Sequence, residues 1–131
     1  MGKKANEFAE FPEHIKLLLI CINRTYEKWG PWIAVRYSWK LAPERAEQSE
    51  YVLAVFRGII VGVFKAEKWL PATKKNFFPG IPDEHGNWNK QAGRFGFHGC
   101  EAPEDVKTRY IGKSVPPKWK FRGNPIQYVN Y

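Results

Sequence analysis

Tyr51-Val52-Leu53-Ala54-Val55-Phe56-Arg57-Gly58-Ile59-Ile60-Val61-Gly62-Val63-Phe64 decides the fold. The runs on either side of Arg57-Gly58 are rich in β-branched and aromatic residues, which suit a pleated surface. A helix here would have to tolerate Gly58, Gly62 and crowded valines and isoleucines, against their propensities. Arg57-Gly58 supplies a two-residue hairpin turn, with glycine accepting positive φ. Both faces of each run are apolar, so the expected strands lie inside a sheet and not along its edge. Ala54 and Gly62 are small, and mark where another group is expected to come close.

Upstream, Ile15–Asn23 is a short apolar run bounded by polar residues; periodicity alone fits a buried strand or a short helix, and its brevity and the Asn-Arg-Thr at its end favour a strand. In residues 29–41, Ile33, Val35, Tyr37 and Trp39 alternate with Ala34, Arg36, Ser38 and Lys40. Period two predicts another strand, with Arg36 and Lys40 on its wetter face. Pro43 opens a short helix. Downstream, residues 71–92 are punctuated by Pro71, Pro79, Gly80, Pro82 and Gly86 and read as a long loop or a pair of turns. Arg94–His98 reads as a strand. Pro103 begins a second helix, with Glu104 and Asp105 in its first turn, Lys107 and Arg109 behind them and Gly112 at its end. The tail is interrupted by prolines and ends in a strand-like segment.

The expectation is therefore an α+β fold: a mostly antiparallel curved sheet or small barrel with two short helices. The 131 residues suit a single domain, 1–131, whose first ten residues fray. An apolar content of 44% rules out a disordered chain. No apolar run approaches the roughly 18 residues of a membrane span, and no apolar stretch follows Lys3 and Lys4 as a secretory signal requires. An intracellular, cytoplasmic protein without a membrane partner is expected. Cys21 and Cys100 are then read as free thiols.

The charge balance is the main functional signal. Lys and Arg number 21 against 13 acids, a net charge of +8. Beyond Asp105 there is no acidic side chain, while Lys107, Arg109, Lys113, Lys118, Lys120 and Arg122 follow. Unbalanced cationic charge attracts polyanions. Aromatic residues interleave with these cations, as at Lys118-Trp119-Lys120-Phe121-Arg122. Aromatic faces stack on bases while cations meet phosphates. The expected ligand is a nucleic acid or nucleotide, in a cleft made by the 71–92 loop, Arg94 and the Lys107–Arg122 segment. Arg94, Lys107, Arg109, Lys113 and Arg122 would meet phosphates, and Trp88 or Trp119 would stack on a base.

Catalytic and metal motifs do not fit. Gly112-Lys113-Ser114 lacks the upstream glycine of a P-loop, since Lys107 holds that place. His85, His98, Cys21 and Cys100 lack the close-paired spacing of a zinc site. No nucleophile elbow or carboxylate dyad stands out, so no cofactor or metal is expected and the reading leans away from an enzyme. Tyr110-Ile111-Gly112-Lys113-Ser114 resembles the second half of the GIY-YIG nuclease signature, but no Gly-Ile-Tyr precedes it and no glutamate follows to hold a metal.

Two wider resemblances stand beside this reading. The segment from Tyr51 through Trp69, together with Arg94–Gly99 and Arg122–Asn130, resembles a group of small uncharacterised bacterial and phage proteins, which implies no activity. Gly58–Phe64 followed by Trp69 is similar to the central hairpin of PUA-like domains of the ASCH and EVE group. That similarity implies a β-barrel binding RNA or a modified base, although the Gly-x-Lys-x-x-Glu-x-Arg signature of ASCH proteins is missing. Two alternative functions remain. One is a small phage or accessory protein that blocks a host protein or sequesters a nucleotide signal. The other is a metal-dependent nuclease whose chemistry would involve Glu101 or His98.

Overall fold

The structure, a computed structural model, describes residues 7–131. Five strands form one sheet in the order β4-β3-β2-β1-β5. The central hairpin is as expected. β2 (Tyr51–Phe56) and β3 (Ile59–Pro71) pair antiparallel, and Arg57 and Gly58 both take positive φ, at 49° and 80°. Two positive values suit the twist of a tight hairpin.

β1 (Leu17–Cys21) pairs with β2 in parallel, from Leu17 opposite Tyr51 to Cys21 opposite Val55. β4 (Phe95–Glu101) pairs with the outer half of β3, and β5 (Ile126–Val129) with β1, both antiparallel. The fold is thus α+β with a mixed sheet, antiparallel at every pairing except β1–β2. It has two edges and does not close into a barrel.

Among the described residues five α-helices decorate it, not two. α1 (Tyr26–Val35) and α2 (Pro43–Ala46) lie between β1 and β2 in the chain. α3 (Lys74–Phe77) and α4 (Asp83–Gly86) occupy the segment expected to be loop. α5 (Glu104–Tyr110) is the helix expected after Pro103.

The strand expected over 29–41 is overturned, because Tyr26–Val35 is helical. Of the alternating set only Ile33 and Val35 fall inside the helix, where Val35 packs with Trp32, three residues earlier, on the same core, while Tyr37 and Trp39 follow the helix. Gly30 breaks the helix with φ 75° and ψ 172°, and Pro31 restarts it where its missing N–H costs nothing.

Alternation along the strands divides the core between the two faces. Leu18, Ile20, Val52, Ala54 and Phe64 face α1 and α2, where Ala34, Val35 and Ala46 are buried. Leu17, Leu19, Leu53, Val55 and Val63 face α5, through Val106 and Tyr110. Bulges at the Ala54/Val55 and Ala66/Lys68 register shifts bend the long β3. They also change which residues share a face, so Ile60 joins Val63 and Trp69 joins Phe64.

The space beside Gly62 is taken by the Phe64 ring and Pro31 of α1. The small pair Ala54 and Gly62, which stand opposite each other, therefore admits a helix and not a ligand. Of the stretch expected to fray, residues 1–6 lie outside the described residues. Residues 7–9 dock instead: Ala9 N–H donates to Ser114 O at 2.9 Å, and Ala9 is buried.

Leu53 is fully buried at the centre of the sheet. Leu53→Ala is expected to lower the unfolding free energy by about 2–5 kcal/mol. At Gly99, a Cβ would collide with the Lys65 carbonyl oxygen across the β3–β4 pair. Gly99→Ala should therefore also destabilise, despite its edge strand. Urea denaturation reads both, and a wild-type midpoint for either would contradict this packing.

Candidate functional site

β1 ends at Cys21, and its chain passes through Ile22, Asn23, Arg24 and Thr25 before α1 begins. Those residues form one wall of a cavity of ≈ 610 Å³. Ala34 and the segment Tyr37, Ser38 and Trp39, after α1, form a second wall. His85, Asn87, Lys90, Gln91 and Arg94, between α4 and β4, form a third.

Side-chain bonds hold these irregular segments together. Tyr37 Oη donates to Gly86 O at 2.5 Å, and Ser38 Oγ to Gln91 Oε1 at 2.5 Å. Gln91 Nε2 donates to Gly86 O and Asn87 O, at 2.9 and 3.1 Å. Arg94 Nη1 donates to Ser38 O at 3.0 Å. Trp39 and Phe95 exchange backbone bonds of 2.8 and 2.9 Å, which pin the second wall to β4. The first wall is tied to the hairpin turn, where Arg57 N–H donates to Asn23 Oδ1 at 2.7 Å.

The cavity is electrostatically one-sided. Arg24, Lys90 and Arg94 line it, and among the described residues no Asp or Glu does. None of the three cations forms an ion pair with a described acid. Tyr37 is buried in its wall, and burial pushes its phenol up to about 12, so it remains a neutral donor. His85 packs on Trp29 and Tyr37, with ring centroids 5.0 and 5.8 Å away. Burial, with a smaller contribution from Lys28, holds its imidazole below the ordinary value of 6.5. Its Nε2 is buried and has no hydrogen-bond partner.

The expected phosphate contacts are dispersed. Arg94 lies in this cavity with part of the 71–92 segment. Lys107 is on α5, against the other face of the sheet, and Glu101 and Glu104 hold it at 3.4 and 3.2 Å. The bond to Glu104 leads the interactions that raise its pKa. Arg109 and Lys113 line a separate hollow of ≈ 300 Å³ with Glu7 and Glu10, and Lys113 pairs with Glu7 at 3.6 Å. Arg122 is exposed in the tail.

Neither expected stacking tryptophan lines the large cavity. Trp88 packs edge-on against Tyr37 and donates from Nε1 to Asp83 Oδ1 at 2.9 Å. Trp119 leans on the α5-side core. The half-buried Trp39 is the indole in the cavity wall.

From the sequence, Arg24, Lys90 and Trp39 carry no expected binding role, and His85 is weighed only as a zinc ligand. The signal for Arg24 was its place directly after an apolar strand, in a strand–helix–strand connection concealed by the apparent alternation of residues 33–39. Both thiols are unpaired: Cys21 at the cavity wall and Cys100 exposed on β4. Among the described residues, no three His, Cys, Asp or Glu side chains gather as metal ligands, and no helix is long and apolar enough to cross a membrane. No protein-family model, curated protein or solved structure matches the chain.

The position of His85 makes stability pH-dependent in a defined direction. Its folded pKa is depressed, so the contribution of the neutral ring is present above the unfolded value of 6.5 and is lost as pH falls through the folded value. Thermal melts from pH 7.5 down to 5 should show a loss of stability that is smaller in His85→Gln. An identical pH profile in the variant would place the titration elsewhere.

Proposed function

We propose that this protein binds a nucleic acid or nucleotide in the cavity between β1, Tyr37–Trp39 and His85–Arg94. The observation that carries the reading is the concentration of Arg24, Lys90 and Arg94 around a volume of ≈ 610 Å³ with no described carboxylate to balance them. A pocket of this size accepts a small organic ligand. Its charge selects an anion. The guanidinium of Arg94 is oriented by its bond to Ser38 O and keeps further N–H groups to donate as a planar fork.

Trp39 offers the aromatic surface for a base, in place of Trp88. Its Nε1 donates to Val35 O at 2.7 Å, which fixes the ring without occupying its faces. Asn23, Asn87 and Gln91 add polar groups to the wall. The similarity of Gly58–Trp69 to a PUA-like hairpin points to the same ligand class, although the open sheet departs from the closed barrel that similarity implies.

Fluorescence anisotropy with labelled single-stranded RNA and DNA, and calorimetry with mononucleotides, test the reading. Arg24→Ala combined with Lys90→Ala should weaken binding by more than about tenfold. Lys107→Ala should leave it near wild type, because that ammonium is already shared by two carboxylates. If three strand phosphates meet the three cations, log K should fall by about 2 per tenfold rise in salt. Failure of every RNA, DNA and nucleotide to bind, or salt-insensitive binding unchanged in the double variant, would refute the proposal.

A further inference from the structure

The cavity's charge and its histidine restrict the ligand further, on the reading that the cavity is the nucleotide site. An internal phosphodiester carries a single negative charge. A terminal phosphomonoester carries about −1.5 to −2 at neutral pH, with three strong acceptor oxygens. Arg24, Lys90 and Arg94 form a trio of cations for which the second description is the better match.

His85 adds an independent observation. Its Nε2 is buried without a partner, and the residue lines the same cavity. An unpaired buried polar atom is unfavourable until something bonds it. The groups facing the ring supply no anion. Trp29 and Tyr37 present aromatic surfaces, and Lys28 is the charge near it on α1. On its own helix, Asp83 is engaged by Trp88 Nε1 and by Lys74 at 3.3 Å, while Glu84 is exposed. Burial first, and Lys28 second, disfavour a proton on this ring. A bound dianion reverses that preference.

We infer that the cavity takes a terminal phosphomonoester, on a free nucleotide or at the end of a strand, and that His85 becomes protonated as it binds. The ring gains a proton from solvent and pairs as imidazolium with a phosphate oxygen. No covalent bond forms or breaks. Proton uptake then couples affinity to pH: binding tightens as pH falls through the bound-state pKa of His85 and levels off below the depressed pKa of the free protein's ring. Between pH 8 and 6.5 the phosphate, with its second pKa near about 6, stays mostly dianionic. The pH effect over that interval therefore reports the protein group.

The experiment compares nucleoside monophosphates with the matching nucleosides and dinucleoside phosphates, and tetranucleotides with and without a terminal phosphate. Calorimetry across pH 6.5–8, in buffers of different ionisation enthalpy, reads affinity and protons taken up. The expected result is binding tighter by more than about tenfold with the terminal phosphate. Affinity should rise several-fold from pH 8 to 6.5, with proton uptake that His85→Gln abolishes. Preference for monophosphates over phosphorylated tetranucleotides assigns a free nucleotide, and the opposite assigns a strand end.

Equal affinity with and without the terminal phosphate would overturn this inference and leave the nucleotide site standing. So would an unchanged His85 ring signal when the imidazole of the wild-type protein is followed by NMR through ligand addition, a measurement that needs no variant. Absence of binding by every probe would remove the nucleotide site as well.

Discussion

The parallel pairing of Leu17–Cys21 with Tyr51–Val55 is the constraint on which the rest of the structure depends. Two parallel neighbours cannot be joined by a tight turn, because the chain must return to the end from which it started. Residues 22–50 therefore leave the sheet at the end of β1 and cross one face. They come back carrying α1 and α2. The pair is buried on both sides: Leu17 to Ile20 and Val52 to Val55 have no exposed surface. Each large side chain among them contributes on the order of 1.5–3 kcal/mol by leaving water. Cover on both faces is what this apolar slab demands. α1 and α2 supply one side, and α5 with the docked residues around Ala9 the other.

The same crossover creates the cavity. At the carboxyl end of a parallel strand the chain turns away from the sheet, and the groove outside that end is where open α/β sheets place their ligands. Here the groove is bounded by Asn23–Thr25 as the chain departs and by Tyr37–Trp39 as it emerges from α1. The α4–β4 connection closes the third side. The basic character of the chain is then divided unequally. Lys107 and Lys113 are matched locally by Glu101, Glu104 and Glu7, whereas Arg24, Lys90 and Arg94 have no described acid. The net charge of +8 is a property of the whole sequence, but the field that a small anion meets depends on which cations remain unmatched around one concavity.

The hairpin was legible because its information is local. Turn chemistry, β-branched composition and two-sided apolarity all lie within Tyr51–Phe64. The helix after Pro103 was legible for the same reason. Residues 29–41 misled because helical and extended periods coincide over so short a window. Val35 is buried in either conformation, and the Gly30-Pro31 kink interrupts the pattern that would have identified α1. The cavity was only partly legible. Arg94 was legible as a candidate through its charge and its place at the start of an expected strand, and it lines the cavity. Its companions come from two other stretches, which the crossover and the α4–β4 connection bring to one end of β1. Pairing of Lys107 by its neighbours was hidden too: Glu104 reads as a helix-start charge from sequence, yet its carboxylate reaches the ammonium three residues on.

Preorganisation explains why so much polar bonding is invested in this irregular end of the molecule. Gly86 O accepts from both Tyr37 and Gln91, while Gln91 also accepts from Ser38. Arg94 closes the circuit through Ser38 O. Neither α4 nor the 3-10 turn over Trp88–Lys90 is long enough to hold its shape by helical bonding alone. The circuit instead transmits the rigidity of Phe95 and β4 to both walls. A rigid wall allows cations to remain close without collapsing onto neighbouring carbonyls, and it reduces the ordering that a ligand must impose. It also keeps His85 wedged against Trp29 and Tyr37, where the neutral ring is favoured over the imidazolium. The hairpin thus acts on the cavity indirectly. Its turn holds Asn23 through the Arg57 amide, while the cavity is walled by the segments that the parallel pair sends over its end.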